Sequence, residues 1–213
     1  MDRIEREILS LYGKSFLYRL FIRLKLSLVN FREFAYILPP EGKIYELGSG
    51  YGLFSIYLAL EEPKRSILGI EVNRNHVSVA RNLTQDISNL KFVCSDVVKE
   101  NLSNCDGIAM ISLLHHLTYS EQEKLTRKCY ESLNQKGVLV ILDPVNHPLL
   151  KYFINWLSDW VLYPFQNKTF FRSRDGIMEL LSSSGFHVTG RMERKSGWGL
   201  FSYALVIGRK LTT

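Results

Sequence analysis

The stretch Ile44-Tyr45-Glu46-Leu47-Gly48-Ser49-Gly50-Tyr51-Gly52 decides how this chain is read. A short apolar run ending in an acid meets three alternating glycines, and the segment Leu53 to Leu60 then reads as a helix. Glycine lets a backbone turn sharply and approach a ligand at distances that any Cβ would block, so this strand-to-helix turn is a candidate nucleotide-cofactor loop. Spacing narrows the choice of cofactor. A dinucleotide fingerprint, Gly-x-Gly-x-x-Gly, would need its third glycine at Leu53, and a P-loop would end in Gly-Lys-Ser or Gly-Lys-Thr, which does not follow Gly52.

Working outward, Ser66 to Glu71 reads as a second buried strand that ends in an acid about 20 residues beyond the glycine turn, where a carboxylate can accept hydrogen bonds from both hydroxyls of a ribose. Leu90 to Asp96 gives a third strand and Asp106 to Leu117 a fourth with its loop. Val138 to Leu142 is the fifth, finishing at Asp143 after a helix that should end in Leu133-Asn134-Gln135-Lys136-Gly137 with Gly137 as a left-handed cap. His187 to Lys195 and Leu200 to Ile207 can pair as a hairpin around Ser196-Gly197-Trp198-Gly199. Ile- and Val-rich runs alternating with longer amphipathic stretches predict a parallel sheet covered by helices on both faces. The expected class is therefore α/β: a Rossmann-like, doubly wound, seven-stranded sheet, mostly parallel, with an antiparallel C-terminal hairpin.

With those segments in order, Glu-x-Gly-x-Gly-x-Gly resembles motif I of the class I S-adenosylmethionine-dependent methyltransferases, and the resemblance runs from about Glu41 to near Gly208. It implies S-adenosylmethionine as cofactor, S-adenosylhomocysteine as its product and an enzyme of the methyl-transfer class. The implied cofactor contacts are Glu46, Gly48, Ser49, Gly50, Gly52, Glu71, Val72, Asp96, Val97 and Ser112, with Asp96 meeting the adenine amino group. His115, His116, Asp143 and His147 fall near strand carboxyl ends, where an imidazole or carboxylate can take a proton from an acceptor; each also has a plain structural use, Asp143 as a helix cap and one histidine as packing beside the cofactor. Residues 1–40 form a helical lid or extension, and residues 41–213 the cofactor-binding domain, with a helical insertion over about 148–170.

At 213 residues and 46% apolar content the chain suits one domain with a large core. Three cysteines without a Cys-x-x-Cys pair suggest neither zinc nor a disulfide framework, and Cys94 and Cys105 on strands are expected to be buried packing residues. The charged start, Met1-Asp2-Arg3-Ile4-Glu5-Arg6-Glu7, does not read as a signal peptide, and a cytoplasmic setting fits.

Two segments speak to partners. Between Lys14 and Arg32 five basic residues and no acid are interleaved with Phe16, Leu17, Leu20, Phe21, Leu24 and Leu28, which share one helix face; Arg19 and Arg23 lie on the far side, together with Ile22 and Leu26. Such a helix can pack on the domain, close over the active site, or rest on the anionic inner face of a membrane. Leu149 to Tyr163 is apolar and aromatic apart from the narrow stripe Lys151, Asn155, Ser158 and Asp159, so it can roof a substrate site or form a homodimer contact. Together these segments favour a small hydrophobic acceptor, aromatic or lipid-like. A net charge of +6 raises nucleic acid as a rival. The base-amino Asp/Asn-Pro-Pro-aromatic motif is replaced by Ser112-Leu113-Leu114-His115, which leaves RNA methylation as an alternative and DNA-base chemistry disfavoured. A noncatalytic cofactor-binding or oligomerisation module is the second alternative, with Phe153, Trp156 and Trp160 at its interface.

Overall fold

Burial alternates along the central strands, and that alternation sets the layers. In β5 (Leu133–Pro144) Val138, Val140 and Leu142 join one core cluster, while Leu139 and Ile141 join a second on the opposite face. The remaining strands are β1 (Gly42–Leu47), β2 (Arg65–Glu71), β3 (Leu90–Cys94), β4 (Cys105–Ile111), β6 (His187–Lys195) and β7 (Ser202–Arg209). They form one seven-stranded sheet in the order β3-β2-β1-β4-β5-β7-β6. The first five are mutually parallel, and β7 runs antiparallel to both β5 and β6, as the C-terminal hairpin pattern predicts. This computed structural model describes residues 2–12, 20, 22–23, 26, 29–145, 169–195 and 202–212. His147, the aromatic segment 149–163 and the hairpin tip 196–199 lie outside the described residues.

Helices α1 (Arg3–Leu11), α2 (Phe31–Ala35), α3 (Leu53–Glu61) and α4 (Arg74–Leu83) cover the first face; α5 (Tyr119–Ser132) and α6 (Arg174–Ser183) cover the second. Their starts follow from local chemistry. Asp2 with Glu5 and Thr118 with Glu121 form capping boxes, the Asn73 side chain accepts from the amides of Asn75 and His76, and Ser173 accepts from that of Gly176. The amino-terminal segment shares the first core: Ile8, Tyr12, Phe31 and Phe34 bury with Phe54 and Tyr57 of α3. Tyr57 donates to Asp2 at 2.8 Å, and the buried guanidinium of Arg65 ties β2 to the carbonyls of Ala35, Leu38 and Pro39.

Two local expectations are corrected. The helix before β5 ends at Ser132 rather than at Gly137, and Lys136, not Gly137, carries the left-handed backbone at φ +65°. The β5 ladder begins early, with Leu133 paired to Cys105, so the chain turns within the strand instead of capping the helix with glycine. Cys94 is exposed at the end of β3, whereas Cys105 on β4 is buried, because an edge strand covers its residues less well than a central one. In the basic segment, Ile22 and Leu26 are buried and Leu20 is 45% exposed, and the other five residues of the expected apolar face lie outside the described residues. Ile22 and Leu26 belong to the same core cluster as Phe54 and Tyr57 of α3.

Candidate functional site

The helices that follow β1 and β4 lie on opposite faces of the sheet, so a crevice opens between the carboxyl ends of these adjacent strands, where doubly wound sheets take ligands. The glycine turn forms one wall. Gly48, Gly50 and Gly52 have φ of +74°, +53° and +85°, and the amides of Gly48 and Ser49 both donate to the Ile70 carbonyl, at 2.8 and 3.1 Å. The three glycines serve different purposes. A Cβ at Gly48 would strike Leu113 at 2.7 Å, and one at Gly52 would strike the Phe92 ring at 2.5 Å. A Cβ at Gly50 would meet nothing within 4 Å. Packing therefore explains Gly48 and Gly52, and Gly50 opens onto a cradle.

Glu71 fastens that cradle. Its carboxylate accepts from the Gly50 amide at 2.9 Å through one oxygen and from the Asn73 amide at 2.8 Å through the other, leaving lone pairs on both for a ligand hydroxyl. Glu46 is buried and paired with the Ser55 hydroxyl of α3, which places it beneath the turn. The Ser49 hydroxyl is buried without a hydrogen-bond partner among the described residues. Val72 stands 62% exposed next to Glu71, an apolar surface with nothing of its own to cover it. On the neighbouring strand end Asp96 accepts from the Val98 amide at 2.9 Å and keeps a carboxylate with 39% side-chain exposure, while Val97 is buried behind it.

The other wall follows β4. Ser112 holds φ +53°, a conformation that costs a non-glycine residue about 1–2 kcal/mol, and its amide donates to the Leu142 carbonyl at 2.8 Å. A single 3-10 turn, Leu114–His116, comes next. Asp143 organises it: the carboxylate accepts from the amides of Leu114 and His115 at 3.0 and 3.1 Å and lies 3.1 Å from His115 Nδ1, with both side chains 2% exposed. The His115 ring stacks on Phe171 at 5.2 Å and lies 4.0 Å from that of His116, the less buried of the two. The expected base candidates His115, His116 and Asp143 thus converge, and His147 lies outside the described residues.

Some residues that shape the site were not singled out by the sequence. The buried Gln122 amide donates to the carbonyls of Leu114, Leu117 and Phe170 at 3.0, 2.9 and 2.9 Å, tying the segment around Phe170 to the 114–117 turn. Its oxygen accepts from Arg172 at 2.6 Å. Arg172 also lies over the Tyr119 ring, and Arg174 binds its neighbour Asp175, so both arginines have protein partners. Tyr12 donates to the Tyr51 carbonyl and so reaches the glycine turn from the amino-terminal segment. The only local sign of Gln122 is a polar residue on the apolar stripe of α5, one turn before Leu125.

Residues 44–137 match the family described as Methyltransferase domain. Among curated proteins, the chain is 27% identical over 127 residues to the carboxy-S-adenosyl-L-methionine synthase of Nautilia profundicola, covering 58% of this chain and 54% of that protein. The chain spans about half the length of the curated relatives it matches. Human N-acetylserotonin methyltransferase, solved with S-adenosylmethionine, has a TM-score of 0.68 at 20% identity over 99% of this chain and 57% of its own. Burkholderia thailandensis 1,6-didemethyltoxoflavin-N1-methyltransferase, solved with 1,6-didemethyltoxoflavin and S-adenosylhomocysteine, has a TM-score of 0.70 at 14% identity over 98% and 87%. No described helix is long and apolar enough to cross a membrane.

Proposed function

We propose that this chain, a class I methyltransferase in domain and fold, uses S-adenosylmethionine to methylate a small hydrophobic acceptor. The observation that carries the reading is the Gly50 cradle: a left-handed glycine whose Cβ position is empty, fastened by the carboxylate at the end of β2. In this reading the 48–52 backbone cradles the amino-acid end of the cofactor, Glu71 takes the ribose hydroxyls, and Asp96 with Val72 and Val97 flanks the adenine. Bound there, the cofactor brings an activated methyl group on its sulfonium. The protein's share is to hold an acceptor in line and keep water away. Asp143 and His115 act as one unit that sets the 112–117 loop, Phe171 walls it, and His116, less buried than His115, is placed to take a proton from an acceptor. Residues 1–40 act as an extension docked on the cofactor half, which the Tyr12–Tyr51 and Asp2–Tyr57 bonds support.

The curated relatives favour a second reading, because their name describes a change to the cofactor itself. Titration calorimetry with S-adenosylmethionine and S-adenosylhomocysteine, followed by mass spectrometry of cofactor and acceptors after turnover, separates the two. Binding that Glu71→Ala abolishes, with a methylated acceptor, supports the proposal. A carboxylated cofactor would select the second reading, and a folded wild type that binds neither compound would sink both.

A further inference from the structure

The α5 residue Lys128 donates to three backbone carbonyls, those of Val97 at 2.7 Å, Val98 at 2.9 Å and Glu100 at 2.8 Å. An ammonium has three donors, and all three converge on one turn from a different element. That turn leaves β3 directly beside Glu71, whose carbonyl accepts from the Ser95 amide at 3.0 Å. Within it, the Asp96 carbonyl accepts from the amides of Lys99 and Glu100 at 3.0 and 2.8 Å, and the Asp96 carboxylate from that of Val98. The internal bonds shape the turn, the Ser95 amide ties its start to β2 and the Val97 side chain buries in the second core, and Lys128 ties its carbonyls to α5. Burial lowers the lysine's pKa below its ordinary value, and the three carbonyl dipoles offset the cost of placing the charge there.

We propose that Lys128 is a positioning residue for cofactor binding, holding the Asp96–Glu100 turn so that Asp96 faces the crevice with Val97 buried behind it. The inference rests on the methyltransferase reading, which assigns the cofactor to that crevice. Lys210 provides a matched control. Its ammonium also donates to backbone carbonyls, of Tyr130 and Leu133 at 2.9 and 2.7 Å, but Leu133 is the first residue of β5, at the end of the strand opposite the carboxyl end that lines the crevice.

The test is calorimetric titration of S-adenosylhomocysteine into wild type, Lys128→Met, Lys128→Gln, Lys128→Arg and Lys210→Met, with melting temperatures measured on each. Lys128→Met should weaken binding about tenfold, the scale of one lost charge-assisted hydrogen bond, while Lys210→Met stays within about twofold at a similar loss of melting temperature. Lys128→Arg, which keeps the charge, should retain most of the affinity, and Lys128→Gln, which loses the charge and the three-way donation, should weaken it several-fold and supplies the comparison if the methionine variant does not fold. Wild-type affinity in Lys128→Met, or in Lys128→Gln where the methionine variant does not fold, or equal weakening by Lys210→Met, would overturn the inference while leaving the function standing. A wild type that does not bind would remove both together.

Discussion

Replacing Gly50 and Gly52 separately by alanine should divide ligand binding from stability. At Gly50 the backbone sits at φ +53° and the added methyl meets nothing within 4 Å. The left-handed conformation costs alanine about 1–2 kcal/mol, of which restriction of the unfolded chain returns about 0.4–1 kcal/mol. A net loss of about 1 kcal/mol lowers the melting temperature by about 2–4 °C in a chain of this size. At Gly52 the same conformational term applies, and the methyl also lies 2.5 Å from Phe92 Cζ and 3.3 Å from Ala80 Cβ. Phe92 cannot swing aside, because its ring is wedged against Gly69 on β2 as well, where a Cβ would lie 2.5 Å away. Overpacking adds about 1–3 kcal/mol, for a total of about 3 kcal/mol and a fall of about 6–12 °C. Binding should reverse the order: the Gly50→Ala methyl fills the cradle and should weaken S-adenosylhomocysteine at least about 100-fold, or about 2.7 kcal/mol. Scanning calorimetry and isothermal titration of both variants measure the two effects. Gly50→Ala binding within threefold of wild type would refute the placement of the ligand, and equal melting temperatures would refute the packing argument.

Asp143→Ala leaves two buried amides and the His115 ring without their acceptor, which should cost about 3–5 kcal/mol and lower the melting temperature by about 10 °C; a fall of under 2 °C would show that the carboxylate does not organise the loop. The attachment of α1 should weaken in acid. Partial burial opposes the charged form of Asp2, but the Glu5 amide and the Tyr57 hydroxyl more than offset it and hold the pKa below its ordinary 3.8. A depressed carboxylate gives stability that is complete above about 3.8 and is lost as pH falls through the folded value, so amide exchange in α1 should accelerate there, and Asp2→Asn should flatten that dependence.

The sheet was legible because its signals are local. The apolar runs of β1 and β2 stop at Gly48 and Glu71 and so carry their own stops, and β2 and β6 fall within a residue of expectation. The burial of Ile22 and Leu26 was not, since a wheel reports where apolar residues cluster but not which of them finds a partner. Leu20 belongs to the larger group and is exposed, whereas Ile22 and Leu26 belong to the smaller and are buried. They bury in the cluster that holds Phe54 and Tyr57, residues distant in the sequence, which a local period does not report.

The site divides along the same line. Gly50 and Glu71 announce themselves by type and spacing, because a left-handed turn and a strand-end acid each need a particular residue at a particular place. Gln122 and Lys128 do not, since their role lies in whose carbonyls they reach: Leu114 and Phe170 for one, Val97 and Glu100 for the other. A backbone carbonyl belongs to every residue and leaves no trace in the sequence, so a side chain that binds carbonyls can be recognised only once the chain is folded. Both lie on α5, two polar side chains six positions apart, on a helix whose caps and apolar stripe were otherwise ordinary. The residues proposed to touch a ligand are thus written in the sequence, while those that hold the walls of the crevice are written in the fold. This is why a search for chemistry in the sequence finds the glycine turn at once and passes over the helix that supports both walls.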